Sequence, residues 1–235
     1  MERAMIGWLL AAMIQVAPPL TPPPLPPEIA ARIAPVAQAI ATERAAQAAL
    51  PPPADDAERL VRMGRLEQTA RKAMIPIDLH DLPAPERAAA QTAMWAPIKA
   101  VDDANQAALL KMVPPEGWFY ASRYGKPAAN AAFLIVQHAD EALWRRFVPV
   151  LEPLVATGEV EGQDYALMYD RLALSEGRPQ RYGSQMTCKG GHWVVDRLED
   201  PETVETRRQA MGFIWTLAEY QQKFAHYPPC QEKPS

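Results

Sequence analysis

Apolar residues recur three and four places apart along most of the chain, the period of helices that bury one face. Residues 28–50 form an alanine-rich helical run, interrupted at Pro35 and ended by the three prolines at 51–53. Asp55 or Asp56 caps a helix reaching about Met74, with Leu60, Met63, Leu66 and Ala70 on one face. Residues 76–85 connect it to a long helix over 86–112, which Pro97 kinks or divides and which Pro114, Pro115 and Gly117 stop. Gly125 and Pro127 open the next helix, which ends near His138, and Asp140 caps another over 141–154. A further helix over 163–169 delivers Asp170 and Arg171 at its end.

The period then changes. Residues 172–174 read as a short strand and 175–177 as a turn. A second strand over 180–188 turns at Lys189, Gly190 and Gly191 into a third over 192–198. Alternation puts Gln180, Tyr182 and Ser184 on one face, with Arg181 and Gln185 on the other. Gln185 joins Gln180 if Gly183 forms a bulge. The last helix starts with Asp200 as cap and Pro201 in its first position. It runs to about Phe224 behind an apolar face of Val204, Met211, Ile214, Trp215 and Ala218. The fold class expected is mainly α, a helical domain with a small antiparallel β-hairpin element inserted before the C-terminal helix.

At the other end, a short charged start and an apolar run make residues 1–17 a signal peptide in pattern, too short for a comfortable membrane span. Residues 18–27 are a proline-rich linker, residues 28–54 the alanine-rich helix and its linker, and residues 55–235 a single helical domain. The expected location is periplasmic or secreted, with membrane contact only through the signal segment. Cys188 and Cys230 could pair in an oxidising compartment or stay as two free thiols.

The chain has 235 residues, 49% of them hydrophobic, and a formal net charge of -4. That charge argues against binding nucleic acid through its phosphates. The four histidines are scattered without ligand spacing, so no metal site is expected. The sequence contains no HExxH, CxxC, P-loop or GxSxG pattern, and it leaves the cofactor open.

The candidate chemistry lies in two stretches, residues 130–140 and 164–185. They are expected to meet in a polar pocket. His138 and Asp170 are the candidate catalytic pair, because an imidazole titrates near neutrality and a carboxylate can orient it. Gln137, Arg171, Gln180, Tyr182, Gln185 and Arg207 are the candidate ligand-binding residues. Arg207 and Arg208 fall on or beside the apolar face of the last helix, where they either snorkel to solvent or turn inward; an inward arginine needs a carboxylate, for which Asp170 is the preferred partner. Glu67 and Arg71, four apart, read as a surface pair, and Asp102, Asn105 and Gln106 as a solvated helix face.

Taken together, the EQTAR run at 67–71, Asp102 with Asn105, Gly117 with Trp118, Gly125, QHAD at 137–140, the DR pair at 170–171, GRPQRYGSQ and the late RR pair resemble a bacterial family known as domain of unknown function six-six-two-four. The resemblance covers residues 56–220. Glu67 stands where that family more often has aspartate, Ser184 replaces threonine, and Phe119 replaces proline. The resemblance supports the map of site residues and implies no reaction. Three functions stay open: an exported enzyme acting by acid–base chemistry on a small polar or peptide-like substrate, a non-enzymatic cell-envelope module binding a peptide or protein, and a purely structural domain.

Overall fold

A computed structural model describes residues 24–227 and Cys230. The signal-like segment and most of the proline-rich linker lie outside the described residues.

Helix α1 (Pro27–Ala48) runs through Pro35, where an interruption is expected. Buried Ile29, Val36 and Ile40 hold it against its neighbours, and packing outweighs one lost backbone hydrogen bond. In α2 (Asp56–Met74), Asp55 is the cap and accepts the Glu58 N–H at 2.8 Å. Helix α3 (Ala84–Met112) is continuous through Pro97. The α1 residues pack with Ala70, Leu79, Ala90, Met94, Ile98 and Val101 into one apolar cluster.

A second and larger cluster is built by α5 (Lys126–Gln137), α6 (Glu141–Ala156) and α7 (Gly162–Ser175), which follow the single turn of α4 (Ala121–Tyr124). Trp118, Phe119, Phe133, Phe147, Tyr165 and Met168 are its bulk. Asp140 caps α6 by accepting the Leu143 N–H at 3.2 Å, so the chain breaks between α5 and α6 where expected. Helix α2 borders both clusters and crosses α5 at very short range. A Cβ on Gly64 would lie 2.7 Å from the Ala131 Cβ, so only glycine permits this approach.

The β element is smaller than expected. Residues 172–174 are the end of α7, not a strand, because Leu172 and Ala173 continue its buried face. Among the described residues only β1 (Met186–Lys189) and β2 (His192–Val195) form a ladder, paired antiparallel with Thr187 opposite Val194. Gly190 and Gly191 have φ of 58° and 79°, which suits the two-residue turn between them. Residues 180–185 are a loop, tied to the segment after β2 by an isolated bridge from Gln180 to Leu198 and by the Asp196 N–H donating to the Gln185 carbonyl at 3.2 Å. Gln180, Tyr182 and Ser184 are buried and Arg181 and Gln185 half-buried, but Gly183 is buried too, so strict alternation is lost where the chain turns.

The last helix is also divided. After a 3-10 turn at Pro201–Thr203 come α8 (Val204–Ala210) and α9 (Leu217–Phe224). Gly212, at φ 75°, ends α8 in the left-handed conformation, and Thr216 starts α9 with a reciprocal cap to Glu219. The expected continuous apolar face is lost, and Ile214 is 77% exposed. Asp200 precedes the 3-10 turn at φ 36° and makes no side-chain cap. Cys188 in β1 and Cys230 form a disulfide, which fastens the end of the chain to the hairpin.

Candidate functional site

Asp170 is fully buried on α7 and faces the loop at 180–185. Its Oδ1 accepts the N–H of Arg181 at 2.7 Å and of Tyr182 at 3.0 Å, and its Oδ2 accepts the Ser184 N–H at 2.9 Å. Gly183 lies between these donors at φ 67°, so it turns the chain rather than bulging a strand. Burial pushes the Asp170 carboxyl above its ordinary pKa and outweighs the downward pull of the amide donors.

Neighbouring side chains serve the same loop. Gln180, also fully buried, donates from Nε2 to the carbonyls of Gln185 at 2.9 Å and Asp196 at 3.0 Å, while its Oε1 accepts the Gln185 N–H. Arg208 donates to the Tyr182 carbonyl at 2.8 Å and the Trp215 carbonyl at 2.8 Å, and its guanidinium lies 4.2 Å from the Phe213 ring centre. Arg207 donates to the Arg181 carbonyl at 2.8 Å. The Tyr220 hydroxyl donates to the Ser184 carbonyl at 3.0 Å. Neither arginine forms an ion pair with Asp170: both donate to backbone carbonyl oxygens, and Asp170 accepts from N–H groups. These residues pin a loop whose backbone would otherwise be buried without partners.

His138 occupies a different network. It closes α5 as the residue after its last turn, and its Nδ1 bonds Oε1 of Glu67 on α2. Glu67 is fully buried, while the His138 side chain keeps 22% of its surface. Arg71 lies 3.4 Å from Glu67 Oε1 and grips both oxygens of Asp102 on α3, at 3.0 and 2.9 Å. Asn105 donates to the Met63 carbonyl at 3.1 Å, and Gln106 reaches the His138 carbonyl at 3.5 Å. Asp170 therefore does not orient the imidazole; Glu67 does, with Arg71 and Asp102 behind it. Among the described residues nothing bonds His138 Nε2, and Glu67 Oε2 is buried without a partner.

Glu67 is the residue most clearly missed by sequence reasoning. It falls seven places after Leu60 and three after Gly64, on the buried face of α2, but its charge argued for the surface. Asp102 and Asn105 follow the same rule, buried on α3 by partners 31 and 42 residues away.

Arg171 joins the two networks. Its Nη1 donates to the Gln137 carbonyl at 2.8 Å, next to His138, and its guanidinium lies 5.5 Å from the Trp144 ring centre. It also lines a cleft of about 640 Å³ with Gln185, Ser175, Thr187, Trp144 and Trp193. The two predicted stretches thus meet through Arg171 and Gln137, while the imidazole lies on the α2 side. No group of side chains that could hold a metal occurs among the described residues.

Residues 54–226 match a family model described as a family of unknown function, DUF6624. The chain belongs to this family. The DUF6624 match spans all the elements that build both networks, from α2 to α9. No curated protein and no solved structure matches the chain.

Proposed function

We propose that this DUF6624 protein is an exported enzyme that moves protons with His138 on a small polar or peptide-like substrate. The observation that carries the reading is the bond between buried Glu67 and the Nδ1 of a partly exposed imidazole. A carboxylate at Nδ1 fixes the tautomer and the ring plane, and leaves Nε2 as the nitrogen that takes a proton from substrate or water and returns it. Arg71 and Asp102 lock Glu67 from behind. The disulfide suits an oxidising compartment and supports export, as does the apolar start of the sequence.

The test is turnover of a panel of peptide, ester and amide substrates by wild type and His138→Gln. Loss of turnover by about 100-fold or more in a folded variant is the expected result. Turnover that survives the substitution would remove His138 from the chemistry. The second reading, an envelope module that binds without turnover, is favoured by the Arg171 cleft, which lies outside the imidazole's own network.

A further inference from the structure

Arg171 is held by little. Among the described residues it makes one hydrogen bond, to the Gln137 carbonyl, and its guanidinium lies near the Trp144 ring. No carboxylate lies within ion-pair distance of it among the described residues, and burial pulls its pKa down. A half-buried guanidinium without a counter-charge is costly unless something else supplies one. By contrast, Arg71 has Asp102, and Arg208 spends its donors on two carbonyls.

The space beside Arg171 has a definite chemistry. Leu174, Met186 and the two indoles of Trp144 and Trp193 wall the cleft of about 640 Å³ with apolar surface. Ser175, Thr187 and the Gln185 amide place neutral polar groups along the same wall. Asp196, the carboxylate among the described residues that line the cleft, accepts the Arg197 N–H at 2.7 Å and has the Arg197 guanidinium 3.8 Å away.

We propose that this cleft is a binding site for a carboxylate carried on an apolar or aromatic body, with Arg171 taking the carboxylate in a two-pronged grip and the indoles taking the body. One guanidinium matches a single negative charge, and its fork matches the two oxygens of a carboxylate. Flat apolar walls match an aromatic or aliphatic side chain. The C-terminal amino acid of a peptide has both parts. The inference rests on Arg171 and the cleft alone, so it holds or fails independently of proton transfer at His138.

N-acetyl-phenylalanine and its carboxamide are the probes, titrated against the full chain by calorimetry. Wild type is expected to bind the acid about tenfold or more tightly than the amide, because only the acid accepts a charged fork. Arg171→Gln should abolish that preference. Because Arg171 also holds the end of α5, Gln185→Glu is the second variant: it leaves Arg171 in place and brings a competing carboxylate beside the ligand site, so it too should abolish the preference. Retention of the preference in both variants would overturn the proposal. So would equal binding of acid and amide by wild type, or displacement of the acid by equimolar inorganic phosphate. His138→Gln should leave the preference intact, which separates a failure here from a failure of the proton-transfer reading.

Discussion

Arg71 holds both oxygens of Asp102, at 3.0 and 2.9 Å, and stands 3.4 Å from Glu67. One guanidinium therefore compensates two buried carboxylates from different helices. Arg71→Met would leave both without their cation, and an uncompensated buried charge costs about 3–5 kcal/mol. Urea unfolding should show that loss. Arg71→Lys should recover only part of it, since an ammonium lacks the fork.

Glu67→Gln keeps the shape of the side chain and removes its charge. The amide can either accept the Nδ1–H or donate to Nδ1, so it no longer fixes the tautomer, and the substrate-facing nitrogen is no longer defined. Imidazole nitrogen NMR should report one tautomer in wild type and a mixture in the variant. Any turnover that depends on His138 should fall by about 100-fold.

Asp170→Asn puts an amide NH2 where an acceptor stood, opposite the N–H groups of Arg181 and Tyr182 if it replaces Oδ1, or of Ser184 and Tyr182 if it replaces Oδ2. Each buried N–H left unpaired costs about 1–3 kcal/mol. The measurement is thermal unfolding, with hydrogen exchange at Ser184 as the local readout. A variant as stable as wild type would show that the loop at 180–185 does not depend on this carboxylate.

The Cys188–Cys230 bond closes a loop of 42 residues, which contains α8 and α9. Chain entropy assigns such a loop about 4 kcal/mol. Cys188→Ser with Cys230→Ser should lower the unfolding free energy by about that amount, and reductant should do the same to wild type while leaving the double variant unchanged.

Asp164 gives a pH prediction. Burial, with Glu161 nearby, raises its carboxyl from 3.8 to about 6. A raised acid binds its proton more tightly in the folded state, so its contribution to stability is complete below the ordinary pKa and is lost as pH rises through about 6. Asp164→Asn should therefore remove a fall in melting temperature between pH about 4 and about 7, and should be the more stable protein at neutral pH.

Helices were the legible part of this chain, best where a side chain caps the first turn. Asp55 and Asp140 cap helices where the sequence places caps, because the capping bond is local. Pro35 misled for the opposite reason, since distant packing carries α1 through it, and Pro97 does not divide α3. At 180–185 the shared face of Gln180, Tyr182 and Ser184 was readable, but the missing ladder was not. It is replaced by side chains from α7, α8 and α9, which no local pattern announces. The site divides in the same way. His138 and Arg171 stood out by residue type, whereas Glu67 and Asp102 were hidden because a buried carboxylate is recognisable only with its cation in view.

Gly64 decides more than the spacing of two helices. Its missing side chain lets α2 and α5 nearly touch one turn before Glu67, and only at that range can the carboxylate reach the ring that closes α5. A chain with every polar residue unchanged and alanine at 64 would retain the full inventory of chemical groups and hold two of them out of reach of each other.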